Sequence, residues 1–259
     1  MYIICIVRSV GNSLSDGQKP FGSKEYSRLD YFAHHTLIRI FFTPDSRFPI
    51  PDSRFPTPDS LFNMENTQDY LQTTPIIDWQ HPTVLELART IALEHQTSNA
   101  YAKACFEWVR DQIRHSVDYK MNPVTCRASD VLKYKTGYCY AKSHLLAALL
   151  RANGIPAGFC YQRLSINDDG EPYSLHGFNA VYLDEFGWYR IDPRGNREGI
   201  NAQFNPPKEQ LAFTIRFPAE ADFPNIFSEP LPIVIEALQA GSTWDEMLGS
   251  LPDVLLEEL

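Results

Sequence analysis

The spacing of apolar positions divides the chain into stretches of distinct character. From residue 82, PTVLELARTIALEH repeats apolar residues at helical intervals behind Pro82, a proline suited to a first helical turn. Thr97-Ser98-Asn99 makes a cap-like break, and AYAKACFEWVRDQIRHS predicts a second helix with Ala104, Cys105, Trp108, Val109 and Ile113 toward one face. A short strand is expected around 117–119, and Ser129 followed by DVLKYK predicts a short, capped helix. From Cys139 the run CYAKSHLLAALLRAN is apolar on most of its circumference, which predicts a helix buried nearly all round. Gly154 ends it and Pro156 prevents its resumption. The period then shortens. AGFCYQRLSI, LHGFNAVYL and GWYRID are rich in aromatic and β-branched residues, with NDDG and DEFG as turns between them. Helices followed by sequential strands on short turns predict an α+β fold, with a helical N-terminal part and a central buried helix packed on an antiparallel sheet.

The two ends read differently. Residues 43–62 carry three copies of one heptapeptide, TPDSRFP, IPDSRFP and TPDSLF, with prolines that forbid a helix or a central strand. Residues 1–63 are therefore expected to be a disordered, Pro-rich repeat segment. Met64 follows it, so the functional chain is expected to start there and residues 1–63 to be dispensable or a start-site artefact. The catalytic domain is placed at 64–205. Residues 206–259, where VIEALQAGSTWDEMLGSLPDVLLEEL suggests one or two amphipathic acidic helices, are placed as a C-terminal extension.

Composition narrows the function. The formal net charge of −9 disfavours nucleic acid, whose phosphates need a basic surface. No stretch approaches the roughly 18–20 apolar residues of a membrane span, and the apolar run in MYIICIVRSV is short for a signal peptide, which places the protein in the cytoplasm. The five cysteines are odd in number and contain no CxxC pair, which argues against a disulfide framework or a zinc site. No histidine pair has metal-ligand spacing, and no cofactor is implied.

One cysteine sits where chemistry is possible. Cys139 opens the long helix, where unpaired backbone N–H groups and the helix dipole stabilise a negative sulfur and can donate to an oxyanion. Gly137 before it is expected to let the chain turn sharply and a substrate approach the backbone. Cys105 lies on an apolar helix face and is expected to be core. A thiol nucleophile needs a histidine from another element. His144 points away from Cys139 along the same helix, and His115 ends an earlier helix. His176 begins a predicted strand, and Asp192 ends the next one, so a bulge or a diagonal contact is needed to bring that pair together.

GYCYAKSHLLAALLRANGIPAGFCY, LHGFNAVYL and GWYRIDPRGN resemble the transglutaminase-like superfamily of papain-type folds over about residues 100–195. The resemblance implies Cys139 as nucleophile, His176 as general base and acid, and Asp192 as the residue that orients the imidazole. It implies a cysteine-dependent acyl transfer on a peptide or carboxamide bond, with hydrolysis favoured over crosslinking. Two positions depart from the family pattern, Phe178 for its usual tryptophan and Arg194 for its usual threonine, and neither is expected to touch the three residues. Tyr119 and Tyr138 are candidates for holding an oxyanion, although a packed tyrosine is the plainer reading of each. The alternatives are an arylamine-acetyltransferase-like enzyme, whose Glu and Asn after the cysteine are replaced here by Ala141-Lys142-Ser143, and a non-catalytic binding module on the same fold.

Overall fold

A computed structural model describes residues 67–167 and 169–258, and the repeat at 43–62 and the dispensable segment expected at 1–63 lie outside them. The helices form much as the apolar spacing predicts. Helix α1 (Pro82–Glu94) starts on its proline and buries Val84, Ala88 and Ile91 along one stripe. Helix α2 (Ser98–Gln112) is capped by Thr97, whose side chain accepts from the Ala100 N–H, and buries Tyr101, Ala102, Cys105, Phe106 and Val109. Cys105 is thus core, as expected.

Two details between α2 and the long helix differ from expectation. The strand lies at β1 (Arg114–His115) rather than 117–119, where the backbone turns instead. The short helix α3 (Ala128–Tyr134) has no side-chain cap of its own. Asp78, distant in sequence, takes that role by accepting from the Ser129 N–H at 3.0 Å, so local spacing could not show it. A parallel two-residue pairing of β1 with β2 (Thr136–Gly137) then delivers the chain into α4 (Cys139–Ala152).

Every residue of α4 from Cys139 to Arg151 is buried. Leu145, Leu146, Leu149 and Leu150 are fully enclosed, and burying each contributes roughly 1.5–3 kcal/mol relative to exposure. The helix ends at Asn153, and Gly154 follows with φ of 73°, a left-handed conformation that favours glycine.

The sheet has the strand order β5–β4–β3–β6, all neighbours antiparallel. It is built from β3 (Ala157–Ser165), β4 (Tyr173–Leu183), β5 (Gly187–Ile191) and the short β6 (Ala221–Asp222). Helix α4 packs on one face, fixed by Asn179, whose amide donates to the Ser143 and Gly158 carbonyls. On the other face Cys160, Phe178 and Ala180 pack with Trp188, Leu211 and Ile226, which explains why the central strands are buried on both sides. Beyond residue 205 the chain supplies β6, helix α5 (Pro232–Ala240) and helix α6 (Trp244–Leu248).

Candidate active site

Cys139 stands at the first turn of α4 because β1 and β2 aim the chain there. The Arg114 and Ser116 N–H groups donate to the Lys135 and Gly137 carbonyls, which fixes the entry. Gly137 is extended rather than sharply turned, which corrects the sequence reading. A Cβ there would lie 3.2 Å from the Ala141 Cβ and 3.3 Å from the Thr125 Oγ1, so the glycine serves close packing against the helix. Tyr138, the residue before the helix, offers no side-chain cap. The N–H groups of the first turn therefore remain available to an anion.

His176 and Asp192 come together by a diagonal contact. Asn179 pairs with Ile191 in the β4–β5 register, which extrapolates to Phe178 opposite Asp192 and leaves His176 one step along the same face. The His176 Nε2 lies 2.7 Å from the Asp192 Oδ2. The same carboxylate accepts from the Arg194 N–H at 3.0 Å and the Ala212 N–H at 3.1 Å. With Nε2 engaged, Nδ1 is the imidazole nitrogen left for Cys139, whose sulfur lies close enough to His176 to raise its pKa. The Tyr140 hydroxyl donates to the Leu175 carbonyl, one residue before His176, and the Ser143 hydroxyl lies against both the Cys139 and Gly177 carbonyls. These bonds set the thiol against the imidazole.

Burial by itself would lower the His176 pKa, but the Asp192 carboxylate and the Cys139 sulfur outweigh it and raise it to about 10. Burial likewise pushes the Asp192 carboxyl up, while His176 and the two backbone donors hold it below its ordinary value. The arrangement stabilises an imidazolium against the Asp192 carboxylate, with the Cys139 sulfur beside it. Such a group can give a proton to one side while staying oriented from the other.

Cys139 and His176 line a cleft of 310 Å³. A larger cavity of 660 Å³ between α1, α2 and α3, flanked by Trp108 and Lys135, contains neither. The other candidates are sorted by this cleft. His144 sits in the core, its Nδ1 2.7 Å from the Cys126 carbonyl. His115 lines the cleft, but burial pushes its pKa down to about 4, and its ring lies beside Tyr138 with centroids 5.0 Å apart. Tyr138 reaches the cleft, whereas Tyr119 is 57% exposed under the Arg114 guanidinium and is not part of its wall.

Both departures from the family pattern touch the three residues, contrary to expectation. Phe178 stacks on His176 with centroids 5.8 Å apart, and the Arg194 backbone binds Asp192. The Arg194 guanidinium also holds both oxygens of Asp118, at 2.7 and 3.0 Å. Sequence reasoning missed Asp118, Arg197, Phe213, Arg216, Leu248 and Leu251, which also stand in the cleft wall. The one local signal was the pair of arginines in DPRGNR.

The α+β fold thus brings a buried thiol at a helix start and a strand-borne His–Asp pair of an antiparallel sheet to one cleft. Residues 85–193 match the family model of the transglutaminase-like superfamily. Over this segment the chain is similar to that superfamily, as the motifs implied. Among solved structures it is similar to a candidate cysteine protease from Cytophaga hutchinsonii, with 19% identity, 50% of this chain and 42% of that chain covered, and a TM-score of 0.42. It is also similar to the periplasmic domain of TgpA from Pseudomonas aeruginosa, with 21% identity, coverage of 50% and 47%, and a TM-score of 0.38. Red sea bream transglutaminase matches at 12% identity, with coverage of 44% and 27% and a TM-score of 0.35. The chain spans less than half the length of each of these proteins. No curated protein sequence matches it. Among the described residues, no helix is long and apolar enough to cross a membrane.

Proposed function

We propose that this protein is a cysteine-dependent acyl-transfer enzyme in which Cys139 attacks a peptide or carboxamide carbonyl and water is the acceptor. The observation that carries this reading is the Cys139–His176–Asp192 line, with the thiol 2% and the carboxylate 0% exposed, opening on one cleft. The thiolate forms the C–S bond, and the oxyanion is met by N–H groups at the start of α4. Imidazolium His176 then protonates the departing amine, leaving a thioester on Cys139. Neutral His176 next takes a proton from water, the hydroxide attacks the thioester, and the carboxylic acid leaves as the thiolate is restored.

Water is favoured over an amine because Arg194 and Arg197 line the cleft against one carboxylate, Asp118. A lysine ammonium approaching the thioester would meet like charge. A reducing compartment fits as well, since Cys105, Cys126, Cys139 and Cys160 are all free thiols, and we place the protein in the cytoplasm on that ground. We keep 64–205 as the catalytic domain and 206–259 as its extension. Residues 1–63 remain dispensable in this reading, so a 64–259 chain is expected to fold and label like the full one.

The test is incubation of the full chain with a mixed peptide pool in ¹⁸O-water, with and without a biotinylated amine. The expected result is ¹⁸O in new carboxyl groups, abolished by Cys139→Ala. Biotin incorporation without ¹⁸O would replace hydrolysis by crosslinking. Turnover that survives Cys139→Ala would overturn the nucleophile assignment.

A further inference from the structure

The chain carries a net charge of −9, yet the wall around Cys139 is rich in guanidinium groups. Arg194 engages both Asp118 oxygens. Arg197 shares that same carboxylate from 3.6 Å, with its side chain 57% exposed, so two cations stand against one anion. Arg216 is offset by Glu220, which binds its backbone N–H and lies close enough for the guanidinium to lower the Glu220 pKa. The positive charge left over is that of Arg197.

Just outside this rim, the chain's own acidic tail shows an arginine holding a carboxylate. The Pro252 carbonyl accepts from the Leu175 N–H at 2.8 Å, on the stretch of β4 beside His176 that β5 does not pair. Leu251 lines the cleft, and two residues further on Asp253 is held by Arg163 through both carboxylate oxygens. A segment bearing a carboxylate is thus seated one residue from His176 by a backbone bond, while its carboxylate is held by Arg163 outside the cleft lining.

We propose that the acyl donor is an acidic peptide, and that Arg197 selects it by binding a carboxylate next to the scissile amide. This inference rests on Cys139 being the nucleophile. A carboxylate there forms the charge-assisted pair that Asp118, already occupied by Arg194, gives only weakly. A neutral donor gains nothing from Arg197, and a basic one is repelled.

The experiment needs no known substrate. Cys139 is alkylated with iodoacetate and with iodoacetamide, reagents of similar size that differ by one negative charge, and the labelled cysteine is mapped by mass spectrometry. The readout is the ratio of the two rates. Charges on opposite walls of a cleft, taken as roughly 8 Å apart, interact at an effective dielectric between that of a protein surface and that of water strongly enough to change a rate by about 2- to 30-fold, which bounds the effect of removing Arg197. The ratio is therefore expected to fall about fivefold in Arg197→Ala and further in Arg197→Glu, and to be largely kept in Arg197→Lys. High salt should also compress the wild-type ratio. In the peptide pool, new termini should be enriched in neighbouring Asp or Glu. A ratio unchanged by Arg197→Ala and Arg197→Glu, with Cys139 still the labelled residue, overturns the acidic-donor inference and leaves the nucleophile standing. Cys139 labelling no faster than the other cysteines with either reagent overturns both.

Discussion

Asp192→Asn isolates what the buried carboxylate does, because it removes a charge while keeping size. In the native site the Asp192 Oδ2 accepts from both His176 and the Ala212 N–H, and Oδ1 accepts from the Arg194 N–H. An amide has one oxygen. Whichever way it turns, its NH₂ faces at least one of these donors, in a site with no solvent exposure. Losing a charge-assisted bond costs about 1.5–3 kcal/mol and stranding a buried donor about 1–3 kcal/mol, so the expected destabilisation is about 3–5 kcal/mol. That corresponds to a Tm lower by roughly 10 °C. The electronic effect is separate. Without Asp192, the burial that opposes charge on His176 meets only the sulfur, and the imidazole pKa falls from about 10 toward or below 6.5. NMR titration of labelled histidines, assigned with His176→Gln, reads this directly. Iodoacetamide labelling of Cys139 should slow by about tenfold or more, since the nucleophile loses a charged, oriented imidazole beside it. An unchanged His176 titration in a folded Asp192→Asn protein would refute the proposed electrostatics, whatever happened to stability.

Other expectations follow from neighbouring contacts. Gly177→Ala places a Cβ 2.6 Å from the Tyr140 Cδ1 and 3.3 Å from the Tyr161 Cε1, both rings enclosed, and should cost about 1–3 kcal/mol in urea unfolding. An unchanged midpoint would mean the rings yield freely. Asp118→Asn breaks the bidentate Arg194 pair and should cost about 1–3 kcal/mol at neutral pH. Burial opposes the Asp118 charge, but His115 and Arg194 hold its carboxyl well below the usual range. Its folded-state pKa is depressed, so its stabilisation is present above about pH 4 and lost as the pH falls. The variant should therefore lose less stability on acidification than the native chain. For His176 the sign is reversed. Its pKa is raised, so its contribution is full below 6.5 and declines as the pH rises through about 10, which His176→Gln should abolish in alkaline unfolding curves.

The sequence by itself determined much of this molecule, because much of it depends on local periodicity. Pro82, the Thr97 cap, the all-apolar circumference of α4 and the stop at Gly154 are decided within a turn or two of chain. The three motifs around Cys139, His176 and Asp192 were also legible, since each sits at the end or start of a strongly patterned element. What tertiary structure decided were contacts between residues far apart in sequence. The capping of α3 by Asp78 spans 51 positions and the Arg194–Asp118 pair spans 76, distances over which no pattern in a single sequence carries information. The strand at 114–115 arises because the residues just before Cys139 pair with it, and isolated propensity shifted it to 117–119. Gly137 looked like a turn residue because glycine is permissive, yet here it relieves a close approach to Ala141. Register worked the same way. The sequence required a bulge or a diagonal to join His176 and Asp192, and the β4–β5 pairing supplied the diagonal, which put Phe178 against the imidazole and aligned the Arg194 backbone on the carboxylate.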